Sequence, residues 1–204
     1  MKIHILGSGT SAGVPVIGCD CRVCKSSDPK DKRTRTGLVV EKDDSFLLID
    51  TPPELRLQLI KAGITNIIGV IYTHMHADHT AGFDDLRAFS FRSKEVLPVY
   101  MFPEYVDGFR DKYNYAFNPG PYKGAVPRLS LNSVGEEEFK IGPFSIEPMR
   151  LPHGSVDSLG IKIANFVYAT DFKRMPEKYV KKLKGAVDTM VASGLHFEEH
   201  ASHS

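Results

Sequence analysis

An apolar run, Ile67-Ile68-Gly69-Val70-Ile71-Tyr72, leads directly into Thr73-His74-Met75-His76-Ala77-Asp78-His79. No other stretch constrains the fold as tightly. On an extended backbone, side chains at i and i+2 project to the same side, so His74 and His76 can grip one metal ion. A helical turn beginning just after them swings Asp78 and His79 toward a second ion beside the first. Imidazole suits zinc and related ions, and a mixed His/Asp cluster suits a hydrolytic site better than a closed structural one. The competing reading is a polar loop whose histidines are unrelated. Ligand-type residues in H-x-H-x-D-H order behind a buried-type strand argue against it.

The rest of the chain alternates strands with helices. Lys2 to Gly7 reads as a strand, followed by a long loop rich in glycine and containing all the cysteines. Thr36 to Glu41 and Ser45 to Asp50 read as a hairpin turning at Lys42-Asp43-Asp44. Pro52-Pro53-Glu54 opens a helix to about Ala62, because proline is tolerated and glutamate favoured in a first turn; Gly63 ends it. Ile67 to Thr73 is the strand before the histidines, and Phe83 to Arg92 the helix after them. Val96 to Phe102 is a strand, Pro103 to Tyr113 a helix, and Asn118-Pro119-Gly120-Pro121 a turn. Strands fill Phe139 to Ile163, with Pro152-His153-Gly154 as a loop between two of them. A short buried strand, Phe166 to Ala169, precedes Asp171; Pro176 to Lys184 is a helix and Ala186 to Val191 a last strand. At 204 residues, a single domain with one substantial core is expected.

Composition excludes more than it selects. A net charge of +1 argues against a broad nucleic-acid footprint or an electrostatic membrane anchor. No apolar run approaches the roughly 20 residues that span a bilayer. The first residues turn polar too soon for a signal peptide, so a cytoplasmic location is expected. Cys19, Cys21 and Cys24 form a C-x-C-x-x-C array, a poor disulfide framework and a better metal site in a reducing compartment. Three thiolates leave one tetrahedral position for a ligand from elsewhere. Free thiols are the alternative.

The histidine motif is that of the metallo-β-lactamase superfamily, and the likeness extends along the chain. Residues 7–24, from Gly7-Ser8-Gly9-Thr10-Ser11 to Cys24, resemble the opening of the branch that contains the phosphoribosyl cyclic phosphodiesterase (PhnP-type). Arg33-Thr34-Arg35-Thr36, Leu48-Ile49-Asp50, Gly82-Phe83-Asp84-Asp85-Leu86-Arg87, Pro152-His153-Gly154 and Tyr168-Ala169-Thr170-Asp171 continue it in order. The resemblance implies an α/β four-layer αββα sandwich with the metal site at one edge of its two sheets. It assigns His74, His76 and His153 to one ion and Asp78 and His79 to another, with Asp171 bridging. The cofactors implied are two divalent ions, zinc or manganese, with a structural zinc at Cys19, Cys21 and Cys24. Paired ions ~3.5–4 Å apart bring a bridging water toward neutral pKa, which suits in-line attack on a phosphodiester. Asp78 then belongs to the catalytic machinery as well as to the ligands. Asp50 would orient a ligand from beneath. Ser8, Thr10 and Ser11 could offer donors to a phosphate, while Arg33 and Arg35 face either a phosphate or nearby acids. Lys178, Lys181, Lys182 and Lys184 read as a solvated helix face.

The segment from Leu195 to Ser204 resembles the branch's H-x-[ST]-H segment, which implies that His200 or His203 protonates the leaving group. In the family a helix, a strand and a Thr-His-type loop follow, supplying a last metal ligand and the fourth ligand of the cysteine site. The sequence ends before them, so a C-terminally incomplete domain is expected. The function expected is a metal-dependent phosphodiesterase acting on a small cyclic or nucleotide-like ester. The partner is thus a small phosphodiester, with nucleic acid and membrane disfavoured and a homodimer left open. The alternatives are a tRNA 3′-end nuclease, a lactonase or a thioesterase of the same fold, or a non-catalytic metal-binding protein.

Overall fold

The computed structural model describes residues 1–120 and 126–194. Two sheets dominate it. The first holds β1 (Lys2–Gly7), β2 (Gly37–Lys42), β3 (Ser45–Ile49), β4 (Gly69–Ile71), β5 (Leu97–Met101) and β6 (Leu129–Ser133), in that spatial order. Its first three strands pair antiparallel and the rest parallel. The second sheet runs in chain order from β7 (Phe139–Ile141) through β8 (Phe144–His153), β9 (Val156–Ile163) and β10 (Phe166–Ala169) to β11 (Thr189–Ala192). Only its last pair is parallel. The helices are α1 (Arg22–Lys25), α2 (Leu55–Ala62), α3 (Ala77–Thr80), α4 (Arg87–Ser93), α5 (Pro103–Lys112), α6 (Asn114–Phe117) and α7 (Glu177–Leu183).

Burial follows the strand period. In β10, Phe166 and Tyr168 enter the main core with Phe144, Ile146 and Ile161, while Val167 and Ala169 face the other way and pack with Tyr179 of α7. The first sheet adds Leu48, Val70 and Val99 to the same main core, and α2 and α5 add Leu59 and Phe109. Leu47, Leu48 and Ile49 are all fully buried, so β3 is covered on both faces, as expected of a strand that pairs with a parallel neighbour beneath helices. Two sheets face to face with helices outside make the four-layer αββα sandwich. Each large side chain buried there is worth about 1.5–3 kcal/mol. Among the described residues no helix is long and apolar enough to cross a membrane.

Most expected elements recur within about three residues, and four of the differences bear on the sheets and the site. Only Gly69–Ile71 pairs as β4, because the chain leaves the ladder early to form the histidine loop. The helix expected from Phe83 divides into a 3-10 turn, Phe83–Leu86, and α4. β6 was not anticipated, although Leu129-Ser130-Leu131 alternates as a strand should. His153 is the last residue of β8, paired with Val156 across a two-residue turn, rather than part of a loop.

Candidate metal centre

The site is built where β3, β4 and β10 end. Asp50, directly after β3, has φ 62°, and Asp171, after β10, has φ 48°. Residues other than glycine, asparagine and aspartate seldom enter this left-handed region, and such strain collects at functional sites. At the end of β4, Thr73 donates its N–H to Asp50 Oδ1 and its hydroxyl to Asp50 Oδ2, both at 2.8 Å. The Thr73 carbonyl accepts from Leu159 N at 2.8 Å, which ties the loop to the second sheet. His76 then caps α3, one turn that carries Asp78 and His79. Thr51 N and Tyr113 OH donate to the carbonyls of His79 and Thr80 at 2.8 and 2.6 Å, holding that turn from behind.

Hydrogen bonding sets the direction of each imidazole. The Thr73 hydroxyl is spent on Asp50, so its oxygen accepts from His74 Nδ1 at 3.0 Å, and His74 Nε2 keeps a free lone pair. His79 Nδ1 donates to Asp50 Oδ2 at 2.7 Å, and its Nε2 lies 2.6 Å from Asp171 Oδ2 and 3.4 Å from Asp78 Oδ2. His74 Nε2 and His153 Nε2 approach His76 Nδ1 at 2.9 and 3.3 Å. His74 Nε2 lies 4.0 Å from Asp171 Oδ2. Two triads result, His74/His76/His153 and His74/His79/Asp171, each with ligand atoms within 4.8 Å of one another. They share His74. Three imidazole nitrogens converging on one point are a set that a divalent cation satisfies better than a shared proton.

The electrostatics divide the two halves. Burial, reinforced by the charge of His79, pushes His74 down to about 2, which keeps its imidazole neutral. Burial also opposes a charge on His79, but Asp50 and Asp171 outweigh it and hold His79 well above the ordinary histidine range. For Asp171, burial is overcome by the hydrogen bond and charge of His79, so its carboxyl falls below the usual range. Asp50 goes the other way, raised by complete burial despite His79 and Thr73. The concentration of opposed shifts in one place is what a reactive or ion-binding site produces.

Next to these groups opens a cleft of about 120 Å³, lined by Thr10, Ser11, Thr36 and Ser193 along with the ligand-type residues His76, Asp78, His79 and Asp171. Thr10 and Ser11 were singled out from the sequence; Ser193, whose hydroxyl accepts from Asp171 N at 3.1 Å, was missed. Its only signal was its place just past the last strand. Arg35 is engaged by Glu54 and Arg33 donates to Ser8 Oγ at 2.9 Å, so both arginines serve the loop. Apart from the cleft, the sulfurs of Cys19, Cys21 and Cys24 also lie within 4.8 Å of one another. The backbone N–H of Cys24, with help from Cys19, lowers the Cys21 thiol to about 7. His200 and His203 lie outside the described residues.

A family described as the beta-lactamase superfamily domain matches residues 46–204. The chain belongs to this superfamily, and within it the chain is PhnP-like. A crystal structure of a diphosphatase from the PhnP family superposes with a TM-score of 0.90 at 34% identity, covering 99% of this chain and 76% of that one. Zinc-bound PqqB from Methylobacterium extorquens shares the fold, with a TM-score of 0.73 at 22% identity over 95% of this chain and 73% of that one. Among curated proteins, an octanoyltransferase of Porphyromonas gingivalis is 40% identical over 206 residues, covering all of this chain but 41% of the relative. The chain thus spans less than half the length of that relative. The fold implies divalent metal ions.

Proposed function

We propose that the chain is a metal-dependent hydrolase of small phosphodiesters, with a cyclic or nucleotide-like ester as substrate. The observation that carries this reading is the pair of triads sharing His74, of which His76, His79 and Asp171 line a hydroxyl-bearing cleft. His74, His76 and His153 would hold one ion, His79 and Asp78 the other, and Asp171 would serve both. When bound, such ions supply Lewis acidity and an acidified water in line with the ester. The chain's own residues do the positioning. Asp50 and Thr73 keep His79 Nε2 and His74 Nε2 turned toward Asp171. Thr10, Ser11 and Ser193 surround the place a phosphate would take and offer it neutral hydroxyls. Cys19, Cys21 and Cys24 would bind a structural zinc with a fourth ligand from elsewhere.

The likeness to a PhnP-family diphosphatase favours a second reading, in which the bond broken is a diphosphate anhydride. Both readings use the same ligands and differ in what lies beyond the reacting phosphorus. The test is purified protein loaded with zinc or manganese and assayed with bis(p-nitrophenyl) phosphate, a cyclic nucleotide and a dinucleoside diphosphate. Metal-dependent turnover of the diesters, lost in His76→Ala while circular dichroism shows the fold retained, is the expected result. Turnover of the diphosphate alone would select the second reading. Turnover that survives His76→Ala would refute the site.

A further inference from the structure

The helical face of the first sheet carries a second cavity, remote in lining from the metal cleft. It is an open groove of about 540 Å³ between α2 and the stretch from Asp85 to Arg92. Its lining is apolar at Leu59, Ile60, Ile64 and Phe89, and it carries Arg56, Arg87 and Arg92 against Asp85, with Asp84 paired to Arg87 just outside it. We propose that this groove docks an acidic amphipathic helix of a partner protein.

The sequence of α2 supports an occupant. Leu55 and Leu59 of this helix are buried against the core, yet Ile60, which lines the groove, is 65% exposed. A surface helix normally keeps its outer face polar, and an exposed apolar side chain that continues an apolar lining extends the area a partner can cover. The shape selects a helix. Two helical walls leave a trough whose ridges accept a third helix, the arrangement used by proteins that bind an amphipathic helix through residues at i, i+3, i+4 and i+7. The rim selects the charge. Arg87 is steadied by Asp84 at 2.7 Å, and Arg92 is anchored on the Thr65 carbonyl at 2.8 Å. With Arg87 already paired to Asp84, Arg56 and Arg92 leave an excess of positive charge around the apolar lining, which favours carboxylates flanking an apolar stripe and repels a basic helix. None of these residues lines the metal cleft.

The test is selection from a displayed library of helical peptides on the intact chain, with the double variant Arg56→Glu/Ile60→Asp as counter-selection. Both changes lie at exposed positions, so the variant's circular dichroism and melting curve should match the parent. The expected result is enrichment of sequences with apolar residues at helical spacing beside Asp and Glu. The best of them should bind at least tenfold more weakly to the double variant and more weakly at high salt. Hydrolysis by the double variant should be unchanged. Enrichment of neutral or basic peptides, or equal binding to parent and variant, would overturn the proposal. So would sedimentation showing that the parent self-associates through this face and the variant does not, because the occupant would then be a second copy.

Discussion

At the residue scale, Asp50 organises more of the site than its place outside the cleft suggests. Its two oxygens take the N–H and hydroxyl of Thr73 and the Nδ1 proton of His79, and through Thr73 they fix His74 as well. One carboxylate therefore sets the direction of Nε2 in two ligand-type histidines. Asp50→Asn keeps the shape but turns a pure acceptor into a group that presents N–H to one of these partners. Losing such an orienting contact typically costs about 10–100-fold in metal affinity or activity. The variant should therefore bind its ions more weakly and turn over more slowly by about that factor while remaining folded. Metal content after dialysis, read beside circular dichroism, checks this. Full metal retention and full activity would mean that the histidines are held by packing alone. The sequence pointed to Asp50 because a carboxylate ended an apolar strand. It did not reveal Thr73, whose role depends on a hydroxyl lying between two groups distant in the chain.

At the scale of elements, what was legible had a local cause. The stop of α2 at Gly63 is a glycine at φ 68° closing a helix onto the Ile60 and Leu59 carbonyls, and the Asp43-Asp44 turn takes two positive φ angles between β2 and β3. What was obscured had a cause elsewhere. β6 forms because β5 offers it a parallel edge, and His153 joins β8 because Val156 pairs with it. The turn behind α3 shows the same dependence on a distant partner. A Cβ added at Gly82 would stand 2.2 Å from the Pro52 carbonyl oxygen and 3.0 Å from Leu55 Cβ. Neither can yield without moving the start of α2. Gly82→Ala should therefore destabilise the fold by ~1–3 kcal/mol or more, as overpacking does, and displace the turn carrying His79. Denaturant titration measures the first effect and metal affinity the second. A neutral Gly82→Ala would show that the two backbones are not in fixed contact.

For the whole molecule, the question is whether ions hold the fold together or merely occupy it. The main core joins both sheets and the helices on the first, with Leu48, Val70, Phe144 and Tyr168 buried in it and no cysteine of the loop among its members. Small zinc domains collapse without metal because they lack such a core; this chain does not lack one. Chelation should therefore leave the sheet signal in circular dichroism intact. It should still lower the melting temperature, since a ligand at a hundred times its Kd contributes about 2.7 kcal/mol. For a domain of this size that is a shift of about 5–10 °C. The two proposed metal sites would then separate by mutation. Cys21 sits on the exposed loop and binds none of the hydroxyls or carboxylates of the cleft, so Cys21→Ser should remove part of that thermal shift and spare hydrolysis. His76→Ala should do the reverse, abolishing turnover while the share of the shift due to the cysteine loop persists. Unfolding on chelation, or loss of turnover in a fully stable Cys21→Ser variant, would contradict this division between a self-sufficient core and the ions at its edge.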